Sequence, residues 1–234
     1  MNYAIIAAGE GSRLVEEGIE SPKPLVCLNG VPLIDRLTSI FLKNNAETIS
    51  IIVNNEMPDV RAHVKKMRLD VPLNIVVQST PSSMHSFYAL MPFLQKDKFC
   101  LTTIDTIFKE EEFASFIRAF AEDQDHDGMM AVTDYIDDEK PLYVDVDRTS
   151  WMINDFLDAT DDQRYVSGGI YGLSSRALAT LQYCMERGMS RMRNYQRQLV
   201  ADGLQLKAYP FKKIIDIDHA GDIEKAALFL NENK

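Results

Sequence analysis

The chain of 234 residues predicts an α/β fold: a mostly parallel sheet with helices on both faces and a small antiparallel insertion. Two observations carry this. Apolar runs recur with amphipathic segments between them, from Tyr3 to Thr133. These runs are nearly continuous, as strands covered on both faces are. A third observation marks the insertion. From Asp134 to Asp162 the rhythm breaks and acidic and turn residues dominate.

The elements follow in order. Tyr3–Ala8 reads as a strand that meets a glycine turn, Gly9-Glu10-Gly11, and the chain stays helix-compatible to Glu17. Leu33–Asn44 predicts a helix, with Leu33, Ile34, Leu37, Ile40 and Phe41 on one stripe. The β-branched run Thr48–Val53 predicts a buried strand, Asp59–Met67 a helix and Leu73–Val77 a strand. Ser83–Leu94 reads as a helix with Ser82 or Ser83 near its N-cap. Phe99–Ile104 predicts a strand ending at Asp105, Glu110–Glu122 an amphipathic helix, and Gly128–Thr133 a strand. Short strands are expected at Leu142–Asp147 and Trp151–Phe156, then a strand over Gly168–Leu173 and helices over Arg176–Met185 and Arg191–Asp202. Leu206–Phe211 and Ile214–Ile217 predict strands and Asp222–Glu232 a closing helix. No repeat or linker interrupts the pattern, so residues 1–234 read as one domain, with about 134–175 as a subregion.

Composition narrows the partners. Hydrophobic residues make up 46% and charged residues 26%, enough apolar mass for a packed core. The formal net charge is −10, which argues against nucleic acid and anionic membranes as partners. Three cysteines, Cys27, Cys100 and Cys184, are an odd number without close spacing, as expected of reduced thiols. The N-terminus lacks the pattern of a signal peptide, and no run approaches the roughly 20 apolar residues of a membrane span. The expectation is a soluble cytoplasmic protein. Its oligomeric state is left open.

The glycine turn suggests a phosphate loop, because a strand-to-helix turn aims backbone N–H groups outward. A dinucleotide fingerprint would place a third glycine where Leu14 stands, and no Walker string is present. Alone, the turn is equally a plain structural connection. Downstream, Ser21-Pro22-Lys23-Pro24-Leu25 holds a lysine between two prolines, which stiffen the backbone and keep Lys23 out of a helix. Asp105 stands at an apolar strand end. Asp216 and Asp218 lie two apart on a strand, so their side chains are expected to share one face. Paired carboxylates repel unless a cation sits between them.

The pairing of "AAGEGSRL" with "PKPLV" resembles the nucleotidyltransferase superfamily, in particular the sugar-1-phosphate nucleotidylyltransferases. "VVQSTPSSMHSFYAL" looks like the family's base-reading segment, and "LTTIDTIF" carries an Asp where the family has a metal ligand. "SGGIYGLSSRAL" is similar to the sugar-side segment, and "IIDIDHAGDIEKA" to the closing segment that supplies a second ligand. The resemblance implies a Rossmann-like, GT-A-like fold. It also implies Mg²⁺-dependent transfer of a nucleotidyl group from an NTP to a phosphorylated acceptor, with release of pyrophosphate.

It implies roles as well. Ala7, Ala8, Gly9, Gly11, Ser12 and Arg13 would cradle the triphosphate, with Arg13 and Lys23 as its catalytic cations. Gln78 would read the base and Ser83 sit near base or ribose. Asp105 and Asp216 would hold Mg²⁺. Asp218 would join them or cap the last helix. Gly168 and Gly169 would offer backbone contacts to the acceptor. Tyr143, Trp151 and Tyr165 fall in the acceptor region of the sequence.

Three departures bear on the acceptor. The Glu-Lys-Pro expected after Phe156 is absent, and Glu139-Lys140-Pro141 occurs earlier. Ser167-Gly168 replaces Asn-Ala, and His219-Ala220 replaces Thr-Pro. The acceptor is read as a sugar 1-phosphate. The alternatives are a cytidylyltransferase acting on phosphocholine or another phosphorylated alcohol, and a non-catalytic nucleotide-binding protein on the same fold.

Overall fold

The computed structural model describes residues 1–162 and 164–232; Gln163, Asn233 and Lys234 lie outside the described residues. In chain order the elements are β1 (Asn2–Ala7), α1 (Ser12–Glu16), β2 (Cys27–Leu28), β3 (Val31–Pro32), α2 (Leu33–Lys43), β4 (Thr48–Val53) and α3 (Pro58–Lys66). Next come β5 (Leu73–Val77), α4 (Ser83–Leu90), β6 (Lys98–Thr103), β7 (Thr106–Ile107), α5 (Glu110–Glu122) and β8 (Gly128–Thr133). The chain continues through β9 (Tyr143–Val146), β10 (Ile153–Leu157), β11 (Tyr165–Ser174), α6 (Ala177–Glu186) and α7 (Met192–Ala201), and closes with β12 (Leu206–Phe211), β13 (Ile215–Asp216) and α8 (Ala220–Asn231).

The main sheet runs β10-β9-β11-β6-β1-β4-β5, with β8 beside β11 and β12 beside β8. Strands β6, β1, β4 and β5 are mutually parallel. β11 is antiparallel to β6, β8 and β9. The α/β class and the antiparallel insertion are therefore as expected. Alternation along β1 splits the core into two layers. Tyr3, Ile5 and Ala7 face the helices α2, α3, α5 and α8, whereas Ala4 and Ile6 face α4, α6 and α7. On the first face an aromatic ladder packs Tyr3 on Phe41 at 4.3 Å between ring centres, and Phe108 on Phe113 at 4.8 Å. Such pairs add about 0.5–1.5 kcal/mol each beyond the area they bury.

Two predicted elements end early. α4 stops at Leu90 and a 3₁₀ turn, Met91–Phe93, takes over, because Pro92 has no N–H to continue the α-helical ladder. β6 stops at Thr103, so Asp105 sits in the turn Ile104–Asp105 rather than on a strand end. That turn leads into β7, which pairs antiparallel with β13 and sets Thr106 opposite Asp216.

Register places the site. Ala7, Val53 and Val77 are partners across β1, β4 and β5, and Ile6 is the partner of Thr103. The glycine loop, the segment at Gln78 and the turn at Asp105 thus leave the sheet along one edge, where ligands bind in parallel sheets.

Candidate active site

The glycine loop is built to lie close over Lys23. Gly11 has φ 63°, in the left-handed region, and a Cβ there would stand 3.2 Å from Cβ of Lys23. Only glycine combines that backbone with that approach. The helix it opens, α1, is a single turn with only Leu14 buried. Its dipole is correspondingly short, so the loop's own N–H groups, more than a helix field, present the positive charge.

Lys23 lies in a 3₁₀ turn, Lys23–Leu25, and is 8% exposed. Its ammonium donates to Oδ2 of Asp105 at 2.8 Å and to Oδ1 of Asp218 at 2.9 Å. Burial opposes the charge on Lys23, but the carboxylates of Asp105 and Asp218 outweigh it and hold the group above its ordinary range. Arg13, half exposed, donates to Oδ2 of Asp218 at 3.1 Å. Both predicted cations therefore meet on one carboxylate.

Asp216 stands beside this cluster. Its surface opens to solvent in the cleft, yet the surrounding protein strips away much of its bulk hydration. That desolvation, with the charges of Asp105 and Asp218, pushes its carboxyl up to about 8. A hydroxyl bond from Thr106 opposes the rise.

The expected common strand for Asp216 and Asp218 is not present. β13 ends at Asp216, and Asp218 lies on the approach to α8. Nor does Asp218 cap that helix. The carboxylate of Asp222 accepts the N–H groups of Asp218 and His219, at 3.1 and 2.8 Å. Asp218 is left to face Lys23 and Arg13.

Asn54 supports the strand ends. This buried amide donates to the carbonyl of Ala8 at 3.1 Å and accepts from the N–H of Glu56 and the hydroxyl of Ser79 at 2.8 and 2.7 Å. It stitches the exits of β1, β4 and β5 together. Gln78 is exposed beside it, and its N–H is fixed on the carbonyl of Val53. Ser83 opens α4 after the N-cap Ser82, whose hydroxyl pairs with Nδ1 of His85 at 2.9 Å.

A cavity of about 270 Å³ adjoins the cation cluster. Arg13, Asp216 and Asp218 form one side, and the segment Tyr135–Glu139 with Pro141 and Leu142 forms another. Ser167 and Gly168 of β11 and Asp222 and Lys225 of α8 complete it. Gly168 and Gly169 lie where the pairing of β11 with β8 slips, between Ser167 and Tyr171. A Cβ on Gly168 would meet Cδ1 of Ile214, and one on Gly169, at φ +70°, would meet Thr106 Oγ1 at 2.6 Å. Close packing beside the turn Ile104–Asp105, together with the left-handed backbone, requires glycine at 169, whereas the contact at 168 is with the tip of a side chain that can shift.

Tyr143 and Tyr165 do not line this cavity among the described residues; their neighbours Leu142 and Val166 do. Strand alternation turns the two tyrosines away. Tyr165 packs against Trp151, with ring centres 5.7 Å apart. Glu139 and Pro141, set aside by their position in the sequence, do line the wall.

Glu17 escaped the sequence reading. It follows α1 and reaches Nδ1 of His219 at 2.6 Å and the N–H of Ala220 at 2.6 Å. Those bonds hold the carboxyl of Glu17 below its ordinary range, and the same pairing raises His219.

Among the described residues no group of three or more His, Cys, Asp and Glu is arranged to hold a metal by itself, and no helix is long and apolar enough to cross a membrane. Two carboxylates, Asp105 in the turn before β7 and Asp216 at the end of β13, are brought near each other by the pairing of those strands. One or two carboxylates are the protein share of a Mg²⁺ site whose other ligands are phosphates and water.

Comparison with known proteins agrees with this architecture. The fold superposes on the inositol-1-phosphate CTP transferase of T. maritima with a TM-score of 0.81, at 21% identity, covering 99% of this chain and 96% of the other. It superposes on HddC of Yersinia pseudotuberculosis with a TM-score of 0.74, at 19% identity, covering 98% and 99%. In sequence, a 2-aminoethylphosphonate cytidylyltransferase of Lancefieldella rimae is 25% identical over 114 residues, 47% of this chain and 45% of the relative. The bifunctional protein GlmU of Coxiella burnetii is 29% identical over 98 residues, 42% of this chain and 20% of the relative. The chain spans less than half the length of these curated relatives. The model of the MobA-like NTP transferase domain matches residues 3–197, so the chain belongs to that family of nucleotidyltransferases.

Proposed function

We propose that this nucleotidyltransferase moves an NMP group from an NTP to a small phosphorylated acceptor held in the 270 Å³ cavity, with Mg²⁺ as cofactor. The first acceptor class is a sugar 1-phosphate, giving an NDP-sugar and pyrophosphate. One observation carries the reading: Lys23 lies beneath the glycine loop within 2.9 Å of both Asp105 and Asp218. A buried lysine clamped between two acids, under a loop of free N–H groups, suits a site whose charges rearrange around a triphosphate.

In this reading residues 1–234 act as one domain, with about 134–175 as its acceptor side. An oxygen of the acceptor phosphate forms a bond to the α-phosphorus, the α–β bridging bond breaks, and pyrophosphate leaves. The acceptor oxygen is already ionised, so no general base is needed. Gly9, Gly11 and Ser12 present backbone N–H groups to the triphosphate, and Ala7 and Ala8 lead into that loop. Arg13 leaves Asp218 and grips the β/γ-phosphates with its planar fork. Lys23 neutralises charge at the reacting phosphates. Gln78 reads the base edge through an amide that both donates and accepts, and Ser83 lies near base or ribose. Asp105 and Asp216 hold the metal, with Asp218 within reach. When bound, Mg²⁺ neutralises developing phosphate charge and orients the oxygens in line. Gly168 and Gly169 border the acceptor.

A second reading of the acceptor has its own observation. Besides Asp216, which keeps its proton, five acids line the cavity, Asp137, Asp138, Glu139, Asp218 and Asp222, against the two full cations Arg13 and Lys225. A neutral sugar has no need of that excess, whereas an amine-bearing phosphate or phosphonate does. The name of the Lancefieldella rimae relative fits this second class. Pyrophosphate release should be measured with each NTP, Mg²⁺ and two acceptor panels: hexose 1-phosphates, and phosphocholine with 2-aminoethylphosphonate. Turnover confined to one panel decides the class. No turnover with any acceptor, and no NTP binding, defeats the proposal.

A further inference from the structure

The contact of Glu17 with the start of α8 belongs to none of the phosphate or metal motifs. Glu17 closes α1, the single turn that carries Arg13 and follows the glycine loop. One of its carboxylate oxygens lies 2.6 Å from Nδ1 of His219, and the other accepts the N–H of Ala220 at 2.6 Å. Ala220 is the first residue of α8. Asp222 already takes the N–H groups of Asp218 and His219. Glu17 therefore supplies, from a distant part of the chain, the acceptor for the next unpaired N–H of that helix.

The placing matters because α1 has few other anchors. Leu14 is its only buried residue, and its other side-chain bond to the region of α8 is Arg13 to Asp218. Arg13 must release Asp218 to grip a triphosphate. Asp218 must release Arg13 and Lys23 to turn toward a cation. While that exchange runs, Glu17 is the hydrogen-bonded side-chain tie left between α1 and α8 among the described residues. We propose that Glu17 is a positioning residue: its carboxylate holds the phosphate loop against the segment 216–220 while Arg13 and Asp218 trade each other for substrate. The proposal rests on the nucleotidyl-transfer reading above.

The test uses the full chain with Glu17→Ala and Glu17→Gln, each also combined with Arg13→Ala. Amide exchange over residues 9–16 is followed by mass spectrometry in the free protein, so it does not depend on turnover. In the Arg13→Ala background, where the other tie is gone, Glu17→Ala should speed that exchange by about tenfold, and by less in the wild-type background. Glu17→Gln keeps an acceptor for Ala220 and should restore most of the protection. In turnover assays Glu17→Ala should raise KM for the NTP about five- to tenfold with kcat within about twofold, and Glu17→Gln should recover most of the loss. Exchange and KM at wild-type values in Glu17→Ala, even with a lowered melting point, would reduce Glu17 to a helix cap and overturn the proposal. If the wild-type chain turns over no acceptor, the transfer reading fails on its own, and the exchange cycle in the free protein still decides whether Glu17 holds the loop.

Discussion

Single side chains at this site have opposed effects on stability and chemistry. Asp216 shows this most clearly. Between its ordinary value of 3.8 and about 8, the folded protein keeps the Asp216 proton while the unfolded chain has released it. The folded state binds more protons there, so stability falls as pH rises through that interval. Asp216→Asn should therefore raise the melting point of metal-free protein at pH 8 and flatten its decline from pH 5 to 8, while abolishing turnover. Thermal scans in EDTA across that range check the sign. Lys23→Ala also impairs the chemistry, lowering kcat/KM by about 10²–10³, the loss typical of one charge-stabilising group, and it leaves the carboxylates of Asp105 and Asp218 without their shared cation. Asn54→Ala strands the carbonyl of Ala8, the N–H of Glu56 and the hydroxyl of Ser79 together. It should cost about 1–3 kcal/mol in urea unfolding, as an unsatisfied buried polar group does, with the carbonyl of buried Ala8 the group that water reaches least.

Elements differ in how far the sequence announces them. The bounds of β4, β5, α5, β8 and β12 are those read from the chain, because the strands are apolar runs bounded by polar residues or proline and α5 carries one clear helical period. The two-residue strand β7 escaped, since two residues carry no period, and β13 was read one residue too long at each end, as Ile214–Ile217, yet the pair brings Asp105 and Asp216 together. Arg13, Lys23, Asp105, Asp216 and Asp218 were legible as residue types at motif spacings, and the structure brings them to one end of the sheet. The face of each aromatic was not, because the side of β9 and β11 that meets the cavity is set by their place in the sheet and not by any local pattern. β11 also carries a register slip against β8 between Ser167 and Tyr171. That slip yields its own prediction. Gly169→Ala places a Cβ against Thr106 at a left-handed backbone position that costs about 1–2 kcal/mol even without the clash. It should disturb the β6–β7 turn, weaken Mg·NTP binding measured by calorimetry, and lower the unfolding midpoint. Preserved binding with a lowered midpoint would confine the glycine to packing.

At the scale of the whole molecule, the two core layers share one sheet, and the site forms where its strands end together. Ligand binding should therefore register in global stability. A nucleotide at about 100 times its dissociation constant adds about 2.7 kcal/mol of apparent stability. Under the proposed reading that gain appears with NTP and Mg²⁺ together and is lost on adding EDTA. A melting shift by NTP that persists in EDTA would separate nucleotide binding from the metal.

The three ion pairs at the heart of the site join residues far apart in the chain: Arg13 and Asp218 by 205 positions, Lys23 and Asp218 by 195, Lys23 and Asp105 by 82. A ribosome makes Arg13 205 positions before Asp218, and Lys23 82 positions before Asp105. Over those stretches of synthesis each cation waits without the acid that holds it in the folded protein. Assembly of this cluster thus trails synthesis of its loop, and a nascent chain stalled between Lys23 and Asp105 carries the loop without the counter-charges that hold it in place.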